Sequence, residues 1–537
     1  MFKRFRRITS MLLVLTMAFS TAAIAPLAVS AVETENKGIG AVSCDFEYEL
    51  LDDGTAKIID YLGSVVDLEI PSEIDGYTVT SIGYRAFSGC TSLTSITIPD
   101  SVTDIGSSAF EGCTNLASIA IPDGVNTIGG NAFYNTVWYD NQSDGVVYAG
   151  KVAYTYKGKM PENTTITLID GTVGIAAFAF YEYENLTNIT IPDSVMCIEG
   201  GAFSGCTSLT SITIPDGVTE IGWGVFFHCR NLHSIDVPNS VTNIGDIAFS
   251  GCENLENITI PDKVTSIGYD AFYGCKSLVS ISIPNTVTSI GMTAFAECTN
   301  IENITIPESV TNIGNGAFTG CIGLTNIYVA ENNPEYSSVD GALLNKDKTE
   351  LIQCPAGKTE YTIHGSVTSI RYGAFLDCIN LKNVSIPNSV TDIGSSAFKG
   401  CTNLKDITIP GNVTNIGDKA LGYYLDYAEY EYKKLNDFVI YGYAGTSAET
   451  YANENDFTFI SLDSIVSVGD TNGDSEINAK DRMTLTRYLA KWSGYEDIDM
   501  TAADVNSDGE VNAKDRMILT RHLAKWQGYE TLLLNNK

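Results

Sequence analysis

The sequence predicts an α/β repeat solenoid, in which 23-residue units of short strands are joined by short helices or turns, followed by a small all-α module of two loop-helix motifs. Three observations carry this. Phenylalanine recurs every 23 residues at Phe87, Phe110 and Phe133, again at Phe180, Phe203, Phe226, Phe249, Phe272, Phe295 and Phe318, and at Phe375 and Phe398 before Leu421 takes the slot. A fixed period of this length marks units that cannot bury an apolar edge alone and must stack. Near the C-terminus, DTNGDSEINAKDRMTLTRYLAKWSGYE from Asp470 returns 34 residues later as DVNSDGEVNAKDRMILTRHLAKWQGYE from Asp504.

The N-terminus reads as a secretory signal peptide over residues 1–31. Lys3, Arg4, Arg6 and Arg7 form a basic start, Met11–Phe19 is apolar, and Val29-Ser30-Ala31 offers small residues for cleavage. No other apolar run approaches the ~18 residues of a membrane span. Removing residues 1–31 leaves 28 basic residues against 65 acidic ones, a net charge of −37. So acidic a chain excludes nucleic acid as a partner and disfavours anionic membranes.

Residues 32–79 are expected to cap the solenoid, which then spans residues 80–422. One unit runs from Cys90 through Leu93, Ile96 and Ile98 to Pro99, Val102, Ile105-Gly106 and Ala109-Phe110. Leu93, Ile96 and Ile98 have Leu-x-x-Leu-x-Leu spacing, which predicts a strand, and Ala109-Phe110 predicts a short helix or turn sealing the opposite side. The recurring Ile-Pro-x-x-Val-Thr-x-Ile-Gly-x-x-Ala-Phe-x-Gly-Cys pattern resembles the BspA-type leucine-rich repeat family, and thirteen turns at strand spacing give a rod on the order of 60 Å. Two gaps, near residues 134–170 and 328–365, contain hairpin-like stretches at Asp144–Tyr148 and Asp340–Leu344. A C-terminal cap is expected over residues 423–464, with strands near Phe438–Tyr441 and Phe457–Ile460.

Rows of side chains should line the rod. One, between the two Ile of each strand, includes Thr97, Thr190, Thr213, Asp236, Thr259 and Tyr328; another, in Val-Thr-x-Ile-Gly, includes Thr103, Thr242, Thr265, Thr288 and Thr391. Both read as strand-forming residues with good cross-strand packing. Aromatics gather at irregular places, Trp138 and Tyr154 in the first gap and Tyr423–Tyr432 near the end, and read as padding. Ten of the thirteen cysteines share one repeat slot. Parallel Cβ vectors disfavour disulfides, so a ladder of buried free thiols is expected, consistent with the oxygen-poor exterior of an anaerobic bacterium.

In the C-terminal duplication, oxygen-bearing side chains fall at loop positions 1, 3, 5, 9 and 12: Asp470, Asn472, Asp474, Asn478 and Asp481, then Asp504, Asn506, Asp508, Asn512 and Asp515. Backbone carbonyls of Glu476 and Glu510 at position 7 would complete two Ca²⁺ sites. The loops depart from an EF-hand, since position 12 is Asp and Ser-Val-Gly replaces an entering helix before Asp470. This arrangement over residues 468–531 resembles the dockerin module, which implies two calcium ions and a cohesin module of a scaffoldin as partner. The resemblance places the partner contacts at Ala479, Lys480, Thr486, Arg487 and Lys491, and at Ala513, Lys514, Thr520, Arg521 and Lys525. All five pairs are identical, and Ala479–Glu496 and Ala513–Glu530 agree at 15 of 18 positions. The core face, Leu485, Leu489 and Trp492 repeated as Leu519, Leu523 and Trp526, does not require that identity.

No catalytic motif is present. His228, His233, His364 and His522 are scattered, and no Gly-x-Ser-x-Gly elbow or phosphate loop occurs. The expected function is that of a secreted, non-catalytic binding or scaffold protein, held in a cellulosome-like complex by calcium-dependent docking and associated with polysaccharide degradation. Its repeat rod is expected to bind a protein or polysaccharide. The alternative is a cell-surface or host-directed adhesin; a glycoside hydrolase or polysaccharide lyase would require activity from the solenoid itself.

Overall fold

The structure, a computed structural model, describes residues 41–43, 45–426, 428–464, 469–471, 477–491, 498, 500–505 and 510–524. The expected signal peptide, residues 1–31, lies outside the described residues.

Most regular units contribute two short parallel strands, paired with the next unit in a register shift of 23, while the first row narrows to single bridges at Asn257 and Ser280. In the first row Ser95–Thr97 pairs with Ser118–Ala120, matching Ile96 to Ile119. In the second, Ile82 faces Ile105 and Ile105 faces Ile128. The longest uninterrupted stretch of this second row runs from Glu220–Ile221 through Asn243–Ile244, Ser266–Ile267 and Ser289–Ile290 to Asn312–Ile313. Alternation does the sorting, because Ile96 and Ile98 face the core while Thr97 between them is exposed.

The third side, expected as a short helix or turn, is a turn. It is nevertheless laddered: the Phe87 amide donates to the Ala109 carbonyl at 2.8 Å and the Phe110 amide to the Ala132 carbonyl at 2.7 Å. Few backbone groups are therefore left without partners. The turn requires a left-handed residue two places before each Phe. Gly201, Gly224, Gly316 and Gly373 supply it without strain, while Ile247 adopts φ 49° and Thr293 φ 52°, costly conformations for β-branched side chains that stacking must offset.

Down the centre runs a column of buried phenylalanines. Phe180, Phe203, Phe226, Phe249, Phe272, Phe295 and Phe318 stack with ring centroids 5.3–5.8 Å apart and planes within 11° of parallel. Replacing Phe249 with Ala should cost about 3–5 kcal/mol, because it opens a void between two stacked rings. Thr259→Ala, on the exposed row, should stay within about 0.5 kcal/mol. Urea denaturation of both variants checks this, and equal midpoints would contradict the stacking account.

Beside the rings runs the cysteine ladder. Eight of the ten ladder thiols reach one turn back to a phenylalanine carbonyl: Cys206 Sγ donates to the Phe180 carbonyl at 3.1 Å, Cys229 to Phe203 at 3.1 Å, Cys252 to Phe226 at 3.2 Å and Cys275 to Phe249 at 3.2 Å. All twelve described cysteines are free; Cys44 lies outside the described residues. Burial pushes the Cys252 thiol well above its ordinary range, with Cys229 and Cys275 adding to the effect. A group so far from its thiolate form is a poor nucleophile and a poor disulfide former. Alkylation of denatured, unreduced protein should therefore modify most of the thirteen cysteines, and pairing among the ladder positions by mass spectrometry would contradict it.

At each of the two gaps the strand ladder stops and restarts, and the core divides into separate clusters. In the first, Gly145–Ala149 and Val152–Lys157 form an antiparallel hairpin, whose second strand pairs in parallel with Gly174–Ile175. In the second, Glu350–Gln353 ends a three-stranded meander and pairs with Ser369–Ile370. Each gap thus holds one substitute turn without a core phenylalanine.

At the start, Phe46–Leu50 pairs antiparallel with Ala41–Ser43 and Ala56–Tyr61, and the latter joins Tyr77–Ile82 in parallel. At the far end Asp406–Thr408 pairs with Val439–Gly442, which pairs with Thr458–Ser461. Between those last two strands lies a helix, Ser447–Glu454, not anticipated from the alternating strand patterns around it. Its signal was Ala448, Tyr451 and Ala452 at i, i+3 and i+4, all three buried.

Candidate docking face and binding surface

The two C-terminal helices, Ala479–Leu489 and Ala513–Leu523, begin with the same device. Asn478 and Asn512 are N-caps whose side chains accept from the Lys480 and Lys514 amides at 2.8 and 2.9 Å. In return Asp481 Oδ2 and Asp515 Oδ2 each accept from the amide of their N-cap Asn at 2.8 Å. This is a capping box in which Asp takes the usual Glu position. Position 12 of each loop is therefore also the third residue of its helix, so whatever holds the loop also starts the helix.

Asp481 and Asp515 are fully buried, and Asp470 is 8% exposed. Anchoring of the first loop is visible at both ends. Thr471 Oγ1 donates to the Asp481 carbonyl at 2.8 Å, and the Gly469 amide donates to Ala502 at 2.7 Å. Carboxylates are rarely buried without positive charge or donors nearby. A set of carboxylate, amide and carbonyl oxygens is hard, which fits Ca²⁺ and not a thiolate- or imidazole-seeking metal. The structure joins Asn478 to Asp481 in the first copy and Asn512 to Asp515 in the second, and Asp470 lies next to Thr471, which bonds to Asp481; Asp504 and Glu510 are described, on either side of residues 506–509. Asn472, Asp474, Glu476, Asn506 and Asp508 lie outside the described residues.

The helices meet through Leu485 and Leu519, both fully buried, with Ala503 and Val505 completing a small core and Leu489 and Leu523 partly buried against it. Trp492 and Trp526 lie outside the described residues. The predicted contact residues occupy equivalent environments. Ala479, Lys480, Ala513 and Lys514 are exposed, and Thr486, Arg487, Thr520 and Arg521 are half-buried. Thr486 Oγ1 donates to the Arg482 carbonyl at 2.6 Å, and Thr520 Oγ1 to Arg516 at 2.6 Å. Lys491 follows its helix in a left-handed conformation, φ 55°; its counterpart Lys525 lies outside the described residues.

On the rod, the threonines of Val-Thr-x-Ile-Gly are structural latches. Thr265 Oγ1 donates to the Thr242 carbonyl at 3.3 Å and Thr288 Oγ1 to Thr265 at 3.2 Å, and the pattern recurs at Thr391 and Thr414. What the sequence reading passed over is the column two residues after each second-row Ile, which follows Gly in most units and Arg371 in one. That column holds Tyr84, Trp223, Tyr269 and Tyr372, of which the first, second and fourth are 65%, 45% and 38% exposed. Reading the repeats as columns past the glycine would have found it.

Comparison with known proteins agrees with this architecture. The BspA type leucine rich repeat region family matches residues 63–142, 173–269, 242–339 and 351–464, in six copies. The chain belongs to this family. The dockerin type I domain matches residues 468–524, so a BspA-type repeat region is followed here by a calcium-binding, cohesin-docking module. Both matched types are non-catalytic. Among solved structures, a leucine-rich repeat protein from Bacteroides ovatus is 30% identical, covering 69% of this chain and 95% of that one, with a TM-score of 0.36. A leucine rich cell surface protein from Faecalibacterium prausnitzii is 24% identical, covering 79% and 94%, with a TM-score of 0.34. The T. pallidum leucine rich repeat protein is 32% identical, covering 41% and 91%, with a TM-score of 0.23. No curated protein matches the chain. Among the described residues of this BspA-type protein, no helix is long and apolar enough to cross a membrane.

Proposed function

We propose that this BspA-type protein is a secreted, non-catalytic component of a cellulosome-like assembly that takes part in polysaccharide breakdown. Residues 1–31 direct export, residues 80–422 form a binding rod capped by 32–79 and 423–464, and residues 468–531 dock to a cohesin of a scaffoldin. Two calcium ions are held, one by each loop, and the partner is met by the repeated Ala-Lys and Thr-Arg pairs with Lys491 and Lys525. The observation that carries this reading is the doubled capping box with its buried Asp481 and Asp515. It makes helix, loop and metal one unit, as a calcium-switched plug requires.

The test is a pull-down. The full mature chain should retain a cohesin module in Ca²⁺ and release it on chelation. Retention of no member of a cohesin panel would overturn docking, and direct attachment to cell surfaces without cohesin would favour the adhesin reading.

A further inference from the structure

Where five strands of the second row stack without interruption, an open groove of about 470 Å3 runs along the rod. Its floor is bare backbone. A Cβ added to Gly245, Gly268 or Gly291 would collide with the backbone of the turn before it, so close stacking of turns keeps this strip free of side chains. One wall is a polar line: Asn243 Nδ2 donates to Glu220 Oε1 at 2.9 Å, and Ser266 Oγ donates to Asn243 Oδ1 at 2.6 Å. The other wall carries Trp223 and Tyr269. Trp223 is braced by Phe178, ring centroids 6.2 Å apart at 71°, and still leaves 45% of its surface in water.

We infer that this groove binds an extended segment of a neutral, β-linked polysaccharide. Two turns separate Trp223 from Tyr269, about 9.6 Å along the rod at the spacing of parallel strands. That distance suits the disaccharide repeat of an extended β-linked chain, in which alternate sugars present the same face to one wall. Aromatic faces take the C–H face of a sugar, while side chains that both donate and accept take its hydroxyls. Asn243 spends one amide N–H on Glu220 and keeps a second, and Ser266 keeps its acceptor lone pairs. Glu220 and Asp246 in the groove and the net charge of −37 on the exported chain repel an anionic polymer, which selects against uronates.

This inference rests on reading the rod as the binding part of the protein, and its test separates the two. Calorimetry of the full mature chain in Ca²⁺ with cellohexaose, xylohexaose and polygalacturonate should show binding to a neutral hexasaccharide and none to the uronate. Trp223→Ala and Tyr269→Ala should each weaken it about tenfold or more, and Tyr84→Ala, in the same column but outside the groove, should leave it unchanged. Cohesin binding, measured on the same samples, should not move. No saturation by either neutral sugar, preference for polygalacturonate, or equal affinity of all three variants would overturn the groove. Loss of cohesin binding by the parent chain would instead overturn docking and leave the groove standing.

Discussion

Chelating calcium should unfold residues 468–531 and abolish cohesin binding, while the solenoid keeps its circular dichroism and its thermal transition. Among the described residues the dockerin core comprises Leu485, Ala503, Val505 and Leu519 with partly buried neighbours, and a module this short buries a small share of its surface on folding. Asp481 and Asp515 are buried at the two helix starts, so the residue that closes each loop also begins each helix. Each bound ion contributes about 4.1 kcal/mol when free Ca²⁺ exceeds its dissociation constant a thousandfold, a large share of the stability of any small domain. The rod has no such dependence, since its phenylalanine column and three ladders contain no metal-binding element. The measurement is hydrogen exchange with and without chelator: protection should vanish from Ala479–Leu489 and Ala513–Leu523 and persist across Phe180–Phe318. Protected dockerin helices in chelator would sink the coupling of folding to metal.

Reversing all four charges of the duplicated face, Arg487, Lys491, Arg521 and Lys525 to Asp, should abolish cohesin binding, whereas reversing either copy alone should barely be felt. The reason lies in the equivalence of the copies. The helices Ala479–Leu489 and Ala513–Leu523 have the same caps and the same sequence of exposed, half-buried and buried positions. A module with a pseudo-twofold axis can present either copy by turning through 180°, so Arg487→Asp with Lys491→Asp removes one of two equivalent modes. Halving the association constant costs only about 0.4 kcal/mol, while like charges placed in an interface cost several kcal/mol. Calorimetry on the three variants, with Ca²⁺ present and the fold confirmed, decides it. A loss of about tenfold or more from either single-copy variant would mean one fixed docking face.

The dockerin module was legible because its signal is local: alternate oxygen-bearing residues in a short segment ahead of a helix, written twice. The same holds for the repeat. Phe249, Cys252 and Ile244 fall in a unit whose period equals one turn of the rod, so each column of the sequence becomes a column in space. What failed to show was anything set between columns. The helix Ser447–Glu454 was obscured by the β-rich segments on either side, although its three buried residues have helical spacing.

Sequence alone dictated the stacking, the inward face of each strand, the unpaired cysteine ladder and the dockerin module that follows the rod, because identical units in fixed register leave an isoleucine or phenylalanine only one place to go. Only the tertiary structure decided that each gap supplies a substitute turn, since hairpin strands at Val152–Lys157 and Glu350–Gln353 join the ladder through backbone hydrogen bonds that carry no side-chain signature. It also decided the groove. Asn243 and Trp223 are separated by 20 positions in the chain, and it is the approach of successive turns over Gly245 and Gly268, closer than any Cβ would allow, that sets them on opposite sides of one channel.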